Sequence, residues 1–428
     1  MPYSPAPARR SLLKLIAAGP AVSAVGGIAA AAPARAATVP APARPAAASA
    51  APAAPVATAP GIVKALPAEH FTVRGTNAEA RYDALGDTGL LTPADRFFVR
   101  NHTSTPVLDA DDWRLTLWGD GLHGRSPVHF TYGRLRDLPS VTRTALIECA
   151  GNGRSLYTSQ QGEPVTGTSW TLGAVGAARW RGVRLSDVLR RAGIARDAVD
   201  LQPRGLDDPY VSGGVDYGRV RRPLPVAKAF DDVILAYEMN GEPLPYDHGY
   251  PVRLVVPGWV GIASVKWLGD IEVSTRPLDS PWSTDWYRLF GPAHPAGGSA
   301  PISRQTLKSA YQLPFGATLE SGRVHRLTGR AWSALAPVRT VEVSTDGGAH
   351  WRHARLLDTP RKDGWVRWTV PWRPHTTGPV TLLSRTTDAA GNTQPERAVH
   401  NTQGYLFNAV VRHPITVVRS GGTARTFV

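Results

Sequence analysis

A chain of 428 residues with one cysteine has no intramolecular disulfide. Nor can it build a zinc or iron–sulfur site from four of its own thiolates. Whatever it folds into must stand on packing. That cysteine, Cys149, sits where the apolar run Ala145-Leu146-Ile147 and Glu148 give way to the turn Ala150-Gly151-Asn152-Gly153. The run reads as a strand. The two glycines read as a tight turn, or as a place where backbone comes close to a bulky group. Arg154 follows five residues after the cysteine. A permanent cation beside a thiol lowers its pKa and favours metal ligation or nucleophilic attack. A buried free cysteine closing a core strand is the other reading of the same residues.

The length allows two or three domains, and an apolar fraction of 42% is enough for ordinary cores. The formal charge is +14. Residues 1–37 hold Arg9, Arg10, Lys14 and Arg35 and no acid, so a chain trimmed there keeps about +10 of that +14. The basic surface is a solvated one that could steer anions. No aromatic-basic platform points to nucleic acid. Arg9-Arg10, an Ala/Gly-rich apolar run and Ala34-Arg35-Ala36 have the form of an export signal over 1–37, and the paired arginines are similar to a twin-arginine signal. That route exports folded, cofactor-loaded proteins. The Ala/Pro-rich stretch 38–60 reads as an extended linker. No later run reaches the roughly 18 apolar residues of a membrane span.

From 61 to about 290 the pattern predicts a mixed α+β domain. Arg96–His102 reads as a short strand, Trp113–Gly119 as another, and Phe130–Leu138 as a helix stopped by Pro139. Leu185–Gly193 is an amphipathic helix with Ser186 as N-cap and Gly193 as its stop. A strand Val199–Gln202 leads into Gly205-Leu206-Asp207-Asp208, where either aspartate could simply cap a turn. Strands are expected around Leu254–Gly258 and Ser264–Leu268. His248, Arg253 and Lys266 fall at the loop edges of Gly turns and make a plausible phosphate cradle, though each could be a surface charge. Tyr287, beyond the strand Ile271–Ser274, is by itself core or rim filler. From about 300 to 420 short strands alternate with turns. They include Val338–Ser344, the turn Thr345–Gly348, a return strand from His350, Trp365–Val370, and Val380–Thr387 before the turn Asp388–Asn392. About seven such strands suggest an all-β immunoglobulin-like sandwich.

These segments together resemble the sulfite oxidase family over residues 70–415. The cysteine followed by Ala-Gly-Asn, Phe98-Val99-Arg100-Asn101-His102, the run Leu235–Pro245 and Asp247–Arg253, and Ser264-Val265-Lys266 follow its motifs in order. The resemblance implies a molybdenum centre carried by a molybdopterin, with Cys149 as the metal's protein ligand. It places Asn101, His102, Asp207, His248, Arg253, Ser264, Val265 and Lys266 around the pterin and its phosphate, with Phe98 and Val99 in the signature. Arg100 and Arg154 would hold a small oxyanion, and Tyr287 would stand near the metal's oxo group and relay protons. The C-terminal half resembles the family's dimerisation domain, which implies a homodimer.

The implied activity is oxidation of sulfite to sulfate. With one cysteine the chain has no Cys-x-x-Cys-His haem site and no four-cysteine cluster, and no Gly-rich nucleotide fingerprint suggests a flavin. The electrons are therefore expected to leave to a separate acceptor such as a c-type cytochrome. One position departs from the pattern. Gln403, in Asn401–Tyr405, stands where the family often projects an arginine into the anion pocket. A neutral amide lacks the guanidinium fork, which weakens sulfite more than molybdenum. Two alternatives stay open: a molybdopterin enzyme acting on another oxyanion or a sulfoxide, and a secreted binding protein that is not an enzyme.

Overall fold

The computed structural model describes residues 59–421 apart from 87 and 125. The expected export signal and nearly all of the expected linker lie outside them. The described chain is mostly strand. Its five α-helices are short, the longest being Arg154–Gln161 and Leu185–Ala192, so helix contributes less than a mixed α+β pattern suggests.

The first half is built on two sheets. One is antiparallel and runs in the order Glu242–Pro243, Ile234–Met239, Val175–Arg184, Ser140–Glu148, with Arg253–Val255 also paired to Ile234–Met239. Its longest pairing runs from Ser140 opposite Val183 to Glu148 opposite Val175. Along Ser140–Glu148 burial changes with position. Residues 140–144 are exposed or half-buried, and Ala145–Glu148 are buried. The strand therefore delivers Cys149 inside the molecule. The second sheet is mixed. Its order is Leu224–Pro225, Asp200–Gly205, Leu268–Ser274, Arg114–Trp118, Val128–Thr131, and Leu268–Ser274 runs parallel to Arg114–Trp118.

Helix Leu185–Ala192 covers the second core with Leu185, Val188, Leu189 and Ala192, and Arg190 and Arg191 face water. Gly193 ends it at φ 79°, the left-handed conformation that suits glycine. The N-cap is Arg184 rather than Ser186. The strand feeds directly into the helix, so Ser186 already lies in the first turn and is buried. Two other expectations shift. Arg96–His102 is not a strand: Ala94–Arg96 is a 3-10 turn, and only Val99 pairs, through a single bridge to Ala78. Phe130 belongs to strand Val128–Thr131, and the helix is shorter, Tyr132–Arg136, capped by the Thr131 side chain.

In the C-terminal half Val338–Ser344 forms as read, and Gly347 and Gly348 turn the chain at positive φ. The return strand starts at Arg352 rather than His350, whose ring is held in the turn by Asp346. Nine strands form two sheets, ordered Lys308–Tyr311, His325–Trp332, Trp365–Trp372, Arg355–Leu356 and Ala317–Glu320, Val411–Val418, Gly378–Asp388, Val338–Ser344, Arg352–His353. Leu327, Val341, Trp368, Leu382 and Ile415, from both sheets, meet in one core. A separate large cluster runs through Ile147, Tyr157 and Trp180 to Ala310, Trp332, Trp365 and Phe407, so the two halves share apolar packing.

Candidate active site

Cys149 leaves the strand with its N–H bonded to the Ala174 carbonyl at 2.9 Å and its carbonyl accepting from Asn152 N–H at 2.9 Å. Gly153, at φ 91°, turns the chain into helix Arg154–Gln161. Gly151 is needed for close approach. A Cβ there would lie 2.6 Å from the Arg154 guanidinium. That guanidinium is pinned by Nε donating to the Gln403 carbonyl and Nη1 donating to the Thr168 carbonyl, each at 2.8 Å. It also lies 5.2 Å from the centre of the Tyr405 ring.

Two cavities meet at Cys149. The inner one, about 690 Å³, is lined by Phe98, Arg100, Asn101, His102, Cys149, Asp207, His248, Arg253, Ser264, Val265, Lys266 and Tyr287, among others. The outer one, about 710 Å³, is lined by Arg154, Trp170, Tyr210, Trp286, Gln403 and Tyr405 and shares Arg100, His102, Cys149 and Tyr287 with the first. Every residue the motifs single out therefore reaches one cavity or the other except Val99. Its side chain is fully buried, and both its backbone groups are taken by Ala78.

The inner cavity is rich in buried polar groups. Arg253 donates to the carbonyls of His248 at 2.9 Å and Ser264 at 3.0 Å, and burial lowers its pKa to about 9. It remains a cation at neutral pH. Lys266 donates to Asn101 Oδ1 and, at 2.8 Å, to the Asp247 carbonyl; burial, then Arg253, push its pKa well down. His248 carries no charge at neutral pH. Burial, helped by Lys64, Lys266 and Arg253, holds its pKa well below 6.5, and Nε2 faces the Ala94 carbonyl at 3.2 Å. His102 is neutral for the same reason, burial first and then Arg100 and Lys266. Trp282 Nε1 and Arg100 Nη2 both point at its Nε2, each at 3.0 Å. That nitrogen must accept, so the ring proton sits on Nδ1.

Asp207, not the exposed Asp208, enters the cavity. Burial raises its carboxyl to about 6, and its Oδ1 is buried without a protein partner. An unpaired buried acceptor beside a cavity points to a donor on a bound group. Tyr287 is buried and stacks on Tyr405 with centroids 5.1 Å apart and planes 13° apart. Burial, and then its neighbours Tyr405 and Cys149, push its phenol up, against the opposing pull of Arg100, so it keeps its proton at neutral pH.

Sequence reasoning missed Trp170, Tyr210, Trp286 and Tyr405, which wall the outer cavity. It also missed Asp247, whose carboxylate accepts from Val63 N–H, Lys64 N–H and Thr105 Oγ. Asp247 and Trp286 adjoin His248 and Tyr287 in sequence and could have been read from them, whereas Trp170, Tyr210 and Tyr405 reach the site through contacts across the fold. Among the described residues no group of three or more His, Cys, Asp or Glu could hold a metal ion.

Comparison with known proteins fits this geometry. The oxidoreductase molybdopterin-binding domain matches residues 102–282, and the Mo-co oxidoreductase dimerisation domain matches 316–418. Mitochondrial sulfite oxidase of Homo sapiens is 38% identical over 358 residues, 78% of this chain and 63% of that protein. Sulfite oxidase of Gallus gallus is 36% identical over 359 residues, 78% of this chain and 74% of that protein. The chain thus spans less than two thirds of the human relative's length. Among solved structures, the sulfane dehydrogenase SoxCD of Paracoccus pantotrophus superposes with a TM-score of 0.66 at 29% identity, covering 78% of this chain and 82% of that one. With a lone thiol where two cavities meet and relatives of this kind along most of its length, the chain belongs to the sulfite oxidase family of molybdopterin-dependent oxidoreductases.

Proposed function

We propose that the protein is an exported molybdenum oxidoreductase that oxidises sulfite to sulfate and passes the electrons to a separate acceptor, such as a c-type cytochrome. The observation that carries this reading is Cys149 at the meeting of an inner cavity and an outer one, with Arg100, His102 and Tyr287 shared between them. The donor set fits the cofactor. A thiolate is a soft ligand suited to a metal held by other sulfurs. The orphan Oδ1 of Asp207 calls for a donor such as a pterin N–H, and Arg253 and Lys266 suit a phosphate. Asn101, His102, His248, Ser264 and Val265 complete that wall. When bound, the cofactor supplies a two-electron redox centre with an oxygen to exchange.

The chain's own residues do the rest. Arg154 has two bonds to backbone carbonyls that fix its plane, while Nη2 takes no protein partner among the described residues and is available to an anion. Arg100 is aimed by Asn77, Asn101 and His102. Tyr287, protonated at neutral pH, donates a hydrogen bond and moves a proton at its phenolic oxygen. The stacked Tyr405 narrows the approach. The C-terminal sheets we read as an immunoglobulin-type sandwich on which two copies pair.

A second reading keeps the cofactor and changes the substrate to another oxyanion or a sulfoxide. It is favoured by Gln403, whose neutral side chain lines the outer cavity with Nε2 held by the Asp285 carbonyl at 3.0 Å. Metal analysis of the purified protein, followed by a substrate panel with ferricyanide, cytochrome c or oxygen as acceptor, tests both. Molybdenum with fast sulfite-dependent ferricyanide reduction and slow oxygen uptake is expected. Molybdenum without sulfite turnover would favour the second reading, and an absence of molybdenum would overturn both.

A further inference from the structure

The cysteine loop has a support that comes from the other half of the chain. Cys149 faces the cavities, while the preceding side chain, Glu148, is buried toward the C-terminal sheets. Lys308 and Trp332 stand directly opposite each other on strands Lys308–Tyr311 and His325–Trp332. Both side chains converge on Glu148. Lys308 Nζ donates to Oε1 at 2.9 Å, and Trp332 Nε1 donates to Oε2 at 2.9 Å. Lys308 Nζ also donates to the Asn152 carbonyl at 2.9 Å, inside the Cys149 turn. Asn152 closes the circuit. Its Nδ2 donates to Glu148 Oε1 at 2.9 Å, and its Oδ1 accepts from Ala174 N–H, the residue whose carbonyl holds Cys149 N–H.

Lys308 and Glu148 are almost fully buried, with side chains 1% and 4% exposed. A buried ion pair is poor value as a stabiliser, because desolvating two charges offsets most of their attraction, and apolar residues would serve a core as well. A fully hydrogen-bonded one fixes geometry. Two bonds from Lys308 and one from Trp332 go to Glu148, the residue before Cys149, and to Asn152 in the turn after it.

We propose that Lys308 and Trp332 are positioning residues for the Cys149 sulfur, so that the C-terminal half sets the placement of the thiolate as well as packing against the first half. Their role rests on the reading of Cys149 as the metal ligand. They touch neither cavity and act through Glu148 and Asn152. Loss of a partner that orients a ligand commonly costs on the order of 10–100-fold in metal affinity or activity.

The test separates positioning from stability. Lys308→Met leaves a buried carboxylate without its countercharge and should lower both. The double variant Lys308→Met with Glu148→Gln removes both charges, so its thermal midpoint should return toward the wild type. Trp332→Phe removes one donor and keeps an aromatic ring, which preserves a folded variant if the others fail. Two readouts report the loop. One is the rate at which iodoacetamide alkylates Cys149 in full-length, cofactor-free protein at one pH. The other is molybdenum content per chain after loading at limiting molybdenum. We expect faster alkylation, and metal affinity lower by about tenfold or more, in the double variant despite recovered stability, with a smaller change in Trp332→Phe. Wild-type alkylation and loading in a stably folded double variant or in Trp332→Phe would overturn the proposal. If wild-type protein takes up no molybdenum, the cofactor reading fails, while the alkylation rates still decide whether the loop is held in this way.

Discussion

Replacing Arg100 by glutamine is the sharpest probe of how the substrate is held. The Arg100 guanidinium is already committed on part of its edge. Nη1 donates to the Asn101 carbonyl and lies 3.4 Å from Asn77 Oδ1, and Nη2 faces His102 Nε2 at 3.0 Å. Among the described residues its Nε–H has no protein acceptor, so that edge is left for an anion. Glutamine keeps one amide and loses the charge. A hydrogen bond from a charged group is worth about 1.5–3 kcal/mol. At 1.36 kcal/mol per tenfold, that predicts a fall in kcat/KM of roughly 10- to 150-fold. Arg100 is only half-buried and the outer cavity admits solvent, so the lower end applies. Most of the effect should fall on KM, because the charge attracts the anion before any chemistry. Losing Arg100 also removes one of the groups that hold the His102 pKa down, but burial is the larger cause, so the ring stays neutral near pH 7. The assay is steady-state sulfite oxidation with ferricyanide at low and high ionic strength. Wild-type KM should rise with salt, and the variant's should rise less. A variant with wild-type KM and wild-type salt dependence would refute the role of Arg100 in anion binding.

Three further outcomes are expected. Cys149→Ser should abolish turnover and lower molybdenum content, since a serine oxygen is a harder donor than a thiolate; full activity in that variant would end the assignment. Gly151→Ala places a Cβ 2.6 Å from the Arg154 guanidinium and must push it off the Gln403 and Thr168 carbonyls, so KM for the anion should rise roughly tenfold; an unchanged KM would show that Arg154 is not aimed by this contact. His102 and His248 are held neutral, with folded pKa values below the unfolded 6.5, so their stabilising contribution is present above pH 6.5 and is lost as pH falls below it, each by up to about 1.4 kcal/mol per pH unit. Urea midpoints of cofactor-free protein between pH 7.5 and 5.5 should therefore drop, and His248→Gln should flatten the slope. Asp207, raised to about 6, works the other way between pH 3.8 and 6, so Asp207→Asn should steepen the fall.

Local chemistry was readable in the chain itself. A strand entering a Gly turn at Cys149, the stop at Gly193 and the turn Thr345–Gly348 depend on residues next to one another, and each forms. The order of motifs also carried the family, because spacing along a chain survives in sequence. The errors fell where a neighbour in space overrides a neighbour in sequence. Ser186 looks like a cap, but the strand before it leaves Arg184 in that place. Arg96–His102 has strand-forming residues and finds only the bridge from Val99 to Ala78, which buries Val99 away from both cavities. His248 reads as a cation until burial among Lys64, Lys266 and Arg253 keeps it neutral. The site itself is a tertiary product. Arg154 is aimed by a carbonyl 249 residues away, and Glu148 is held by a lysine 160 residues away. Residue type says that Arg154 can bind an anion and that Glu148 needs a partner if buried. Only the packing of the two halves decides where each one points, because hydrogen-bond geometry is set by distances that no local pattern encodes.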